Sequence, residues 1–525
     1  MSKIPPKIAT IIIEDYVHAT IAGLRIEDTE YLVDQYAMYT KSYFFSPDYQ
    51  LGRWDGKFEF FKRGNRTYIS ILLDVVEDLK SRGYKIKVKN KRSDFRLQFD
   101  DIDKDYFSDN GWELGKHQVE AVNSVLEVHN GIIKVGTGGG KTLITAVLSD
   151  IYAKHKLKTI IIVPNKDLIG QTRSEIQLFG LEVGAYYSEE KTTNNPIVVS
   201  TWQSLANNPK LLASFDVVMV DECHGSKAQT LFKLLSNEGK NIPVRIGLTG
   251  TLPEHMCDKL KTYSVLGPVR AKVPSSYLIE EGWLAELRLL MVEYEEDFTE
   301  EWEEFKKHAI EEEDKTISYS EFKNHRLFPV YQNEKSFLKT NPERMENIAK
   351  IINEITDEYG NSFILVNTID FGKKLVKLLG ENSVFISSKI KDRKPIYDAF
   401  KTETGIKGVA TYDLASTGLN IPRIHNMFCL DGGKSSVRVI QSIGRGLRKT
   451  KDKDSVNLLD IYSNVKFSMR HARKRKKIYK EENYAFSHIK INYEDEEKAV
   501  QKCLKKVKSM NNESNNKKLM KEVIE

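Results

Sequence analysis

Ten short apolar runs, in two groups of five, constrain the fold of this chain more than any other feature. The first group lies at 131–135, 159–163, 197–200, 217–220 and 245–248. The second lies at 362–366, 383–386, 407–410, 427–430 and 456–461. Unbroken apolar runs of this length, rather than alternating ones, are what strands buried on both faces require. Helical segments lie between most of them, and that alternation predicts doubly wound parallel sheets. The expected fold is therefore α/β, with two tandem parallel-sheet domains. A chain of 525 residues has room for three or four domains and needs no disulfide staples.

The flanks read differently. Residues 1–110 have plausible strands at 8–13 and 58–61, a helix at 72–82, and an alternating, half-exposed strand at 85–89. They predict a small α+β N-terminal domain that binds nucleic acid and ends in the acidic linker DDIDKDYFSDNG. The first parallel-sheet domain is expected at 111–270 and the second at 346–462. Residues 271–345 read as an irregular, charged linker with inserted helices, one near 300–315. Residues 463–525 read as a basic, mostly helical C-terminal extension whose stretch SMNNESNNKK is partly disordered.

The net charge of +6 says little by itself, but its distribution says more. Residues 466–525 hold 17 Lys/Arg against 9 Asp/Glu, and residues 53–96 hold 13 against 6. Charge gathered near both ends could hold phosphates, though solvated helix faces and a loose tail give the same pattern. Cys223, Cys257, Cys429 and Cys503 show no metal-ligand spacing and read as reduced thiols. The start lacks the apolar run of a signal peptide, and no run is long enough to span a membrane.

Three motifs carry chemistry. The first is Val135-Gly136-Thr137-Gly138-Gly139-Gly140-Lys141-Thr142, which follows an expected strand and precedes an apolar helix at 143–151. That is the context of a phosphate loop. Glycines allow a tight backbone whose N–H groups point at phosphate oxygens, and the helix N-terminus adds positive charge. Lys141 would neutralise the β- and γ-phosphates, and Thr142 would ligate Mg²⁺. The strict pattern has glycine where Val135 stands. A Gly-rich turn with an incidental lysine is the bland alternative.

The second motif is Asp221-Glu222-Cys223-His224, directly after an apolar run. Asp221 would serve the same Mg²⁺, and Glu222 would orient or deprotonate the attacking water. Alone, the pair could equally cap the following helix. The third is Gln441-Ser442-Ile443-Gly444-Arg445-Gly446-Leu447-Arg448. Arg445 and Arg448 share a helix face and could stabilise charge on a transferring phosphate. An ordinary basic helix face is the competing reading.

In this order the three motifs resemble helicase superfamily 2. The likeness covers roughly residues 112–462, and the ordered set is far more specific than any one motif. It implies two RecA-like domains that close on ATP·Mg²⁺ in the cleft between them. It implies that Gln118 reads adenine, and that Gly418 and Asn420 lie near the nucleotide. Asn420 stands where the family has aspartate, which puts a carboxylate role there in doubt. Ile162-Val163-Pro164-Asn165 and Ser200-Thr201-Trp202-Gln203 resemble motifs that touch the nucleic-acid backbone. Leu248-Thr249-Gly250-Thr251 resembles the motif coupling hydrolysis to strand movement. Leu365-Val366-Asn367-Thr368 and the stretch 415–422 resemble motifs of the second domain. Pro164, Thr201, Gln203, Asn367 and Thr411 are thus candidate nucleic-acid contacts.

Within the superfamily, Leu51-Gly52-Arg53-Trp54-Asp55-Gly56-Lys57 is similar to a segment of the UvsW family of T-even bacteriophage helicases. This resemblance implies action on branched, single- and double-stranded DNA: fork regression, branch migration and unwinding of RNA–DNA hybrids. It also implies 3′ to 5′ movement, no membrane, a monomer, and residence in the cytoplasm, the host's for a viral protein. Arg53 and Lys57 are candidate backbone contacts, together with Lys62, Arg63 and Arg66. Trp54 could stack on a base, but Asp55-Gly56 also marks a tight hairpin into which Trp54 would pack, the favoured reading. The run 473–477 is a candidate phosphate binder or a solvated helix end. An RNA helicase, a catalytically silent nucleic-acid scaffold and a restriction translocase subunit are the rival readings.

Overall fold

The computed structural model describes residues 7–524 apart from 94, 137, 228, 312–317, 388–389, 391–393, 417–420, 422, 434–452 and 493–494. The chain divides into two compact units, one of residues 1–136 and 140–273, the other of residues 137–139 and 274–525.

In the first unit, the N-terminal strands are β1 (Lys7–Ile13), β2 (His18–Ala22), β3 (Ala37–Tyr39), β4 (Lys57–Glu59), β5 (Arg66–Tyr68) and β6 (Tyr84–Asn90). β5, β2, β1 and β6 form a mixed sheet in that order, with β1 antiparallel to β2 and parallel to β6. β3 and β4 form a separate two-stranded ribbon. Then come β7 (Asn130–Val135), β8 (Thr159–Val163), β9 (Val183–Tyr186), β10 (Ile197–Thr201), β11 (Val217–Asp221), β12 (Val244–Thr249) and β13 (Val269–Val273). These make a seven-stranded parallel sheet ordered β13-β7-β12-β11-β8-β10-β9. Its β-branched runs, TIIIV in β8 and IVVST in β10, are buried along their whole length, as a sheet covered on both faces demands.

The N-terminal sheet shares its core with the parallel sheet's outer helices. The Phe58 and Tyr68 rings lie 5.7 and 5.8 Å from Phe232 on the helix Gln229–Ser236. Ser70 hydrogen bonds to Ser264 on the helix Met256–Leu266 at 2.9 Å, and the Tyr16 N–H donates to the Lys240 carbonyl at 3.0 Å. Phe232 is therefore buried by residues more than 150 positions away in sequence.

In the second unit, the strands are β14 (Glu286–Tyr294), β15 (Ser362–Val366), β16 (Ser383–Ile386), β17 (Lys407–Thr411), β18 (Asn426–Leu430), β19 (Ser455–Ser463) and β20 (Phe486–Ile491). They form a second seven-stranded parallel sheet, ordered β16-β17-β15-β18-β19-β14-β20. Five of them stand where the apolar runs predict strands.

The other two differ from the sequence reading. Residues 271–345, expected to be irregular, contain β14, which pairs with β19 along nine residues. The expected helical extension contributes β20 at the sheet edge, beside β14. Charges broke both patterns in sequence, and the fold pairs those charges across strands. Glu293 of β14 is buried and meets His488 at 3.2 Å and Lys490 at 3.7 Å, both on β20. Tyr462 of β19 donates to the same carboxylate at 3.1 Å. The expected helix near 300–315 is present as Thr299–Glu311.

The stretch 509–518, expected to be partly disordered, continues the helix Glu496–Ile524. Ala499, Val500, Cys503, Val507 and Met510 recur at helical spacing and are buried in the second unit's core, which anchors the helix. Among the described residues, no helix is long and apolar enough to cross a membrane.

The basic run 473–477 is also redefined. It lies within the helix Lys466–Glu481, not at a helix end. Arg475 is buried, and its guanidinium makes a two-pronged contact with the buried Asp460 carboxylate at 2.8 Å. Tyr479 donates to the same carboxylate at 2.8 Å. Arg475 is a core cation, whereas Arg473, Lys474, Lys476 and Lys477 stay exposed. Removing one partner of a buried pair strands the other charge, at a cost of about 3–5 kcal/mol. Arg475→Ala is expected to lower the unfolding free energy by that order, and the denaturant midpoint with it, while Lys474→Ala leaves both unchanged. Equal midpoints for the two variants would sink this assignment.

Candidate nucleotide site

The parallel order of the first sheet sends the C-terminal ends of all its strands to one edge, where open α/β sheets bind ligands. Asp221 pairs with Leu248 and Thr249 pairs with Lys134, so β11, β12 and β7 end side by side. The acidic motif, the 248–251 segment and the Gly-rich loop therefore leave three adjacent strands.

The loop after β7 leads into the helix Lys141–Lys154. Gly138 and Gly140 have φ of 89° and 79°, a left-handed backbone that favours glycine. Gly140 is constrained a second time, because a Cβ there would lie 2.0 Å from the Gln118 amide nitrogen. Gln118 is buried, and its Oε1 accepts the Gly115 N–H at 2.9 Å, which caps the helix Lys116–Leu126. The adenine-reading candidate and the loop are thus in contact. The Gly136 N–H donates to the Val273 carbonyl at 3.1 Å, which ties the loop's start to β13. The Lys141 ammonium folds back and donates to the Val135 carbonyl at 3.4 Å. The helix N-terminus beyond it is suited to an anion.

Thr142 donates its hydroxyl to Glu175 at 2.9 Å. Gln171 donates to the other oxygen of that carboxylate at 2.7 Å, fixing its orientation. Glu175 was not among the sequence candidates. It belongs to no motif, and only the packing of the helix Asp167–Gln177 brings it to the loop.

Glu222 follows β11 with φ of 48°, an uncommon conformation for a non-glycine residue, often found at functional sites. Its own N–H donates to Asp221 at 2.9 Å. Its carboxylate lies 3.3 Å from His224 Nδ1 and accepts the Thr249 hydroxyl at 3.3 Å. Thr249 is also 3.2 Å from His224 Nδ1 and 2.7 Å from the Thr251 carbonyl. One hydroxyl therefore links the acidic motif to the 248–251 segment. Desolvation raises the Asp221 carboxyl above its usual range, and Glu222 adds to the effect. Desolvation acts on Glu222 in the same sense, but His224, Lys141 and Thr249 outweigh it and hold that carboxyl low. The carboxylates of Asp221 and Glu222 after β11 and the Thr142 hydroxyl after β7 are hard oxygen donors on neighbouring strand ends, the chemistry that Mg²⁺ takes.

Thr137, Gly418, Asn420, Gln441, Arg445 and Arg448 lie outside the described residues. The nucleic-acid candidates fall into local groups. Gln203 donates to the Pro164 carbonyl at 3.4 Å, and Thr201 accepts the Ser204 N–H at 3.2 Å to cap the helix Trp202–Asn207. These three stand at the ends of the paired strands β8 and β10. Asn367 donates to the Asp431 carbonyl, and Thr411 accepts the Leu414 N–H at 3.4 Å. Both stand at the ends of the paired strands β15 and β17. Arg53 is exposed and Lys57 half-buried. Arg66 is paired with Glu14 at 3.0 Å. The Trp54 indole donates to the Lys57 carbonyl at 2.8 Å, but Asp55-Gly56 does not close the expected tight hairpin, because β4 pairs with β3 across the long connection 40–56 and Trp54 is outside the core.

A side chain at Gly140 must adopt the left-handed backbone, at about 1–2 kcal/mol. Gly140→Ala is expected to weaken binding of a fluorescent ATP analogue about tenfold, the same energy expressed as affinity. Unchanged affinity would show that the loop does not hold the phosphates.

The family described as "Type III restriction enzyme, res subunit" matches residues 112–254, and "Helicase conserved C-terminal domain" matches residues 343–450. The ATP-dependent DNA helicase UvsW of Enterobacteria phage T4 is 25% identical over 482 residues, covering 87% of this chain and 91% of that protein. The DNA 3′-5′ translocase XPB2 of Sulfurisphaera tokodaii is 24% identical, over 69% of this chain and 84% of its own length. A fragment of an HsdR subunit of a type I restriction enzyme from Vibrio vulnificus has a TM-score of 0.52 at 15% identity. That alignment covers 90% of this chain and 85% of the fragment, and the likeness is one of fold. The chain belongs to helicase superfamily 2, and is a nucleic-acid-dependent ATPase and helicase.

Proposed function

We propose that this helicase translocates on branched DNA, regressing forks, migrating branch points and unwinding RNA–DNA hybrids in recombination, repair and replication. The observation that carries the reading is the likeness to phage T4 UvsW along 91% of that protein, which takes in more than the helicase motifs. The shared core of the N-terminal sheet and the first parallel sheet supports it physically. Any grip made by residues 1–110 moves with the motor sheet at 111–270.

Each site residue has a distinct task in this reading. Lys141 and the N–H groups of Gly138, Gly139 and Gly140 hold the phosphates of ATP, and Gln118 reads the adenine. Thr142 and Asp221 hold Mg²⁺, which supplies charge neutralisation on the β- and γ-phosphates. Glu222 takes the proton of the attacking water, and its ionised state at neutral pH suits that task. Thr249 senses the state of Glu222 through their hydrogen bond and passes it to the 248–251 segment. Gln441, Arg445 and Arg448 meet the transferring phosphate, a role carried over from their sequence motif. Pro164, Thr201, Gln203, Asn367 and Thr411 grip backbone phosphates, so binding is insensitive to sequence and strongly salt dependent. The protein works as a monomer in the host cytoplasm.

Lys141→Ala is expected to abolish ATP hydrolysis while the unfolding midpoint is kept. In the wild type, forks, four-way junctions and R-loops are expected to stimulate hydrolysis more than RNA duplexes do. Stronger stimulation by RNA duplexes would replace the branched-DNA reading with an RNA helicase. His224 helps to hold the Glu222 carboxyl low, so its removal raises that pKa and protonates the base at higher pH. His224→Ala should therefore shift the acid limb of the pH–rate profile upward. A limb that stays in place would count against Glu222 as the proton acceptor.

A further inference from the structure

Threonines one turn apart on the helix Lys141–Lys154 use their hydroxyls differently. Thr145 takes the usual route within a helix and donates to the carbonyl four residues back, that of Lys141, at 2.9 Å. Thr142 is the second residue of the helix, so the residue four before it precedes the helix. Its hydroxyl goes outside instead and donates to Glu175 at 2.9 Å.

Glu175 is half-buried on the helix Asp167–Gln177, which packs beside the helix Lys141–Lys154. Ile169 and Ile176 are buried and fix the helix on the first unit's sheet. Gln171, one turn before Glu175, donates to the second carboxylate oxygen at 2.7 Å and so keeps the first aimed at Thr142. Glu175 does not serve an ion pair. Both of its donors are neutral, and among the described residues no lysine or arginine pairs with it. The nearby Arg173 is paired with Glu190 at 2.9 Å.

A hydroxyl has one proton to donate and two lone pairs to offer. With its proton on Glu175, Thr142 keeps both lone pairs for a cation. Without that acceptor the hydroxyl is free to rotate, and some of its orientations turn the proton toward the metal's side. Partners that orient a metal ligand in this way are worth about 10–100-fold in metal affinity.

We propose that Glu175 is a positioning residue for the metal: it accepts the Thr142 proton and thereby turns the hydroxyl oxygen's lone pairs to Mg²⁺. The proposal rests on the nucleotide-site reading and adds to it a residue outside every sequence motif. Glu175 acts only through Thr142 and touches neither nucleotide nor metal.

The test uses the full-length protein and a fluorescent, non-hydrolysable ATP analogue. Its affinity is measured with excess Mg²⁺ and again in EDTA, and the ratio of the two is the metal preference. Glu175→Ala is expected to lower that ratio about tenfold while the affinity in EDTA is kept. Glu175→Gln keeps an oxygen acceptor, and the Gln171 amide can flip to meet its new neighbour, so it should retain most of the preference. In a Thr142→Val background, which lacks the hydroxyl, adding Glu175→Ala should change nothing further.

An unchanged ratio in Glu175→Ala overturns the proposal. Equal losses with and without Mg²⁺ overturn it too, since they mark a disturbed loop rather than a misdirected hydroxyl. So does a Gln variant as impaired as the Ala variant, or a further loss in the Val background, because either shows the charge acting on the metal directly. A wild type that does not bind the analogue, or binds it without regard to Mg²⁺, removes the nucleotide-site reading, and the proposal with it. A wild type whose metal preference survives Glu175→Ala removes the proposal alone.

Discussion

The candidate nucleotide site depends on the hydrogen-bond register of three neighbouring parallel strands. Thr249 opposite Lys134 and Asp221 opposite Leu248 fix how far each strand reaches toward the ligand edge. A slip of one residue would turn every side chain on a strand to the other face. It would separate Glu222 from the Thr249 hydroxyl and move the Gly-rich loop away from both. The register is held by burial, since β11 and β12 are buried on both faces and a slipped pairing would leave side chains unpacked and the buried Arg245 guanidinium away from its carbonyl partners. The acid–base chemistry at the edge is thus specified by packing in the middle of the sheet.

The second unit uses a different device, buried charge pairs that staple remote segments to the sheet. Arg344, at the start of the helix Pro342–Tyr359, meets Asp431 at 2.8 Å and Glu296 at 3.4 Å. It also donates to the Leu338 carbonyl at 3.0 Å and to Ser463 at 3.2 Å. One buried guanidinium so joins the segments that follow β14 and β18 to the end of β19. Arg475 and Asp460 do the same for the helix Lys466–Glu481 and β19. Such pairs are weak sources of net stability, but breaking one is costly, so they fix which segments lie together.

The N-terminal region shows how a small sheet can be stable without a large core of its own. Its apolar face closes on Phe232 and its neighbours, so both partners bury surface that neither could cover alone.

The local chemistry was legible in the sequence. Apolar runs located ten of the fourteen parallel-sheet strands: β8, β15 and β16 match to the residue, while β9, β13, β14 and β20 lie outside the runs, the last two interrupted by Glu293, His488 and Lys490. Motif spacing pointed to Lys141, Thr142, Asp221 and Glu222 because a loop's chemistry is written in consecutive residues. Tertiary structure alone decided which cations are free and which are spent, since Arg66 and Arg475 find their partners at Glu14 and Asp460. It alone placed Glu175 on Thr142 and Gln118 on Gly140. The physical reason is the same in each case: sequence fixes periodicity and local conformation, whereas a contact between distant residues exists only after strands have chosen their neighbours and register.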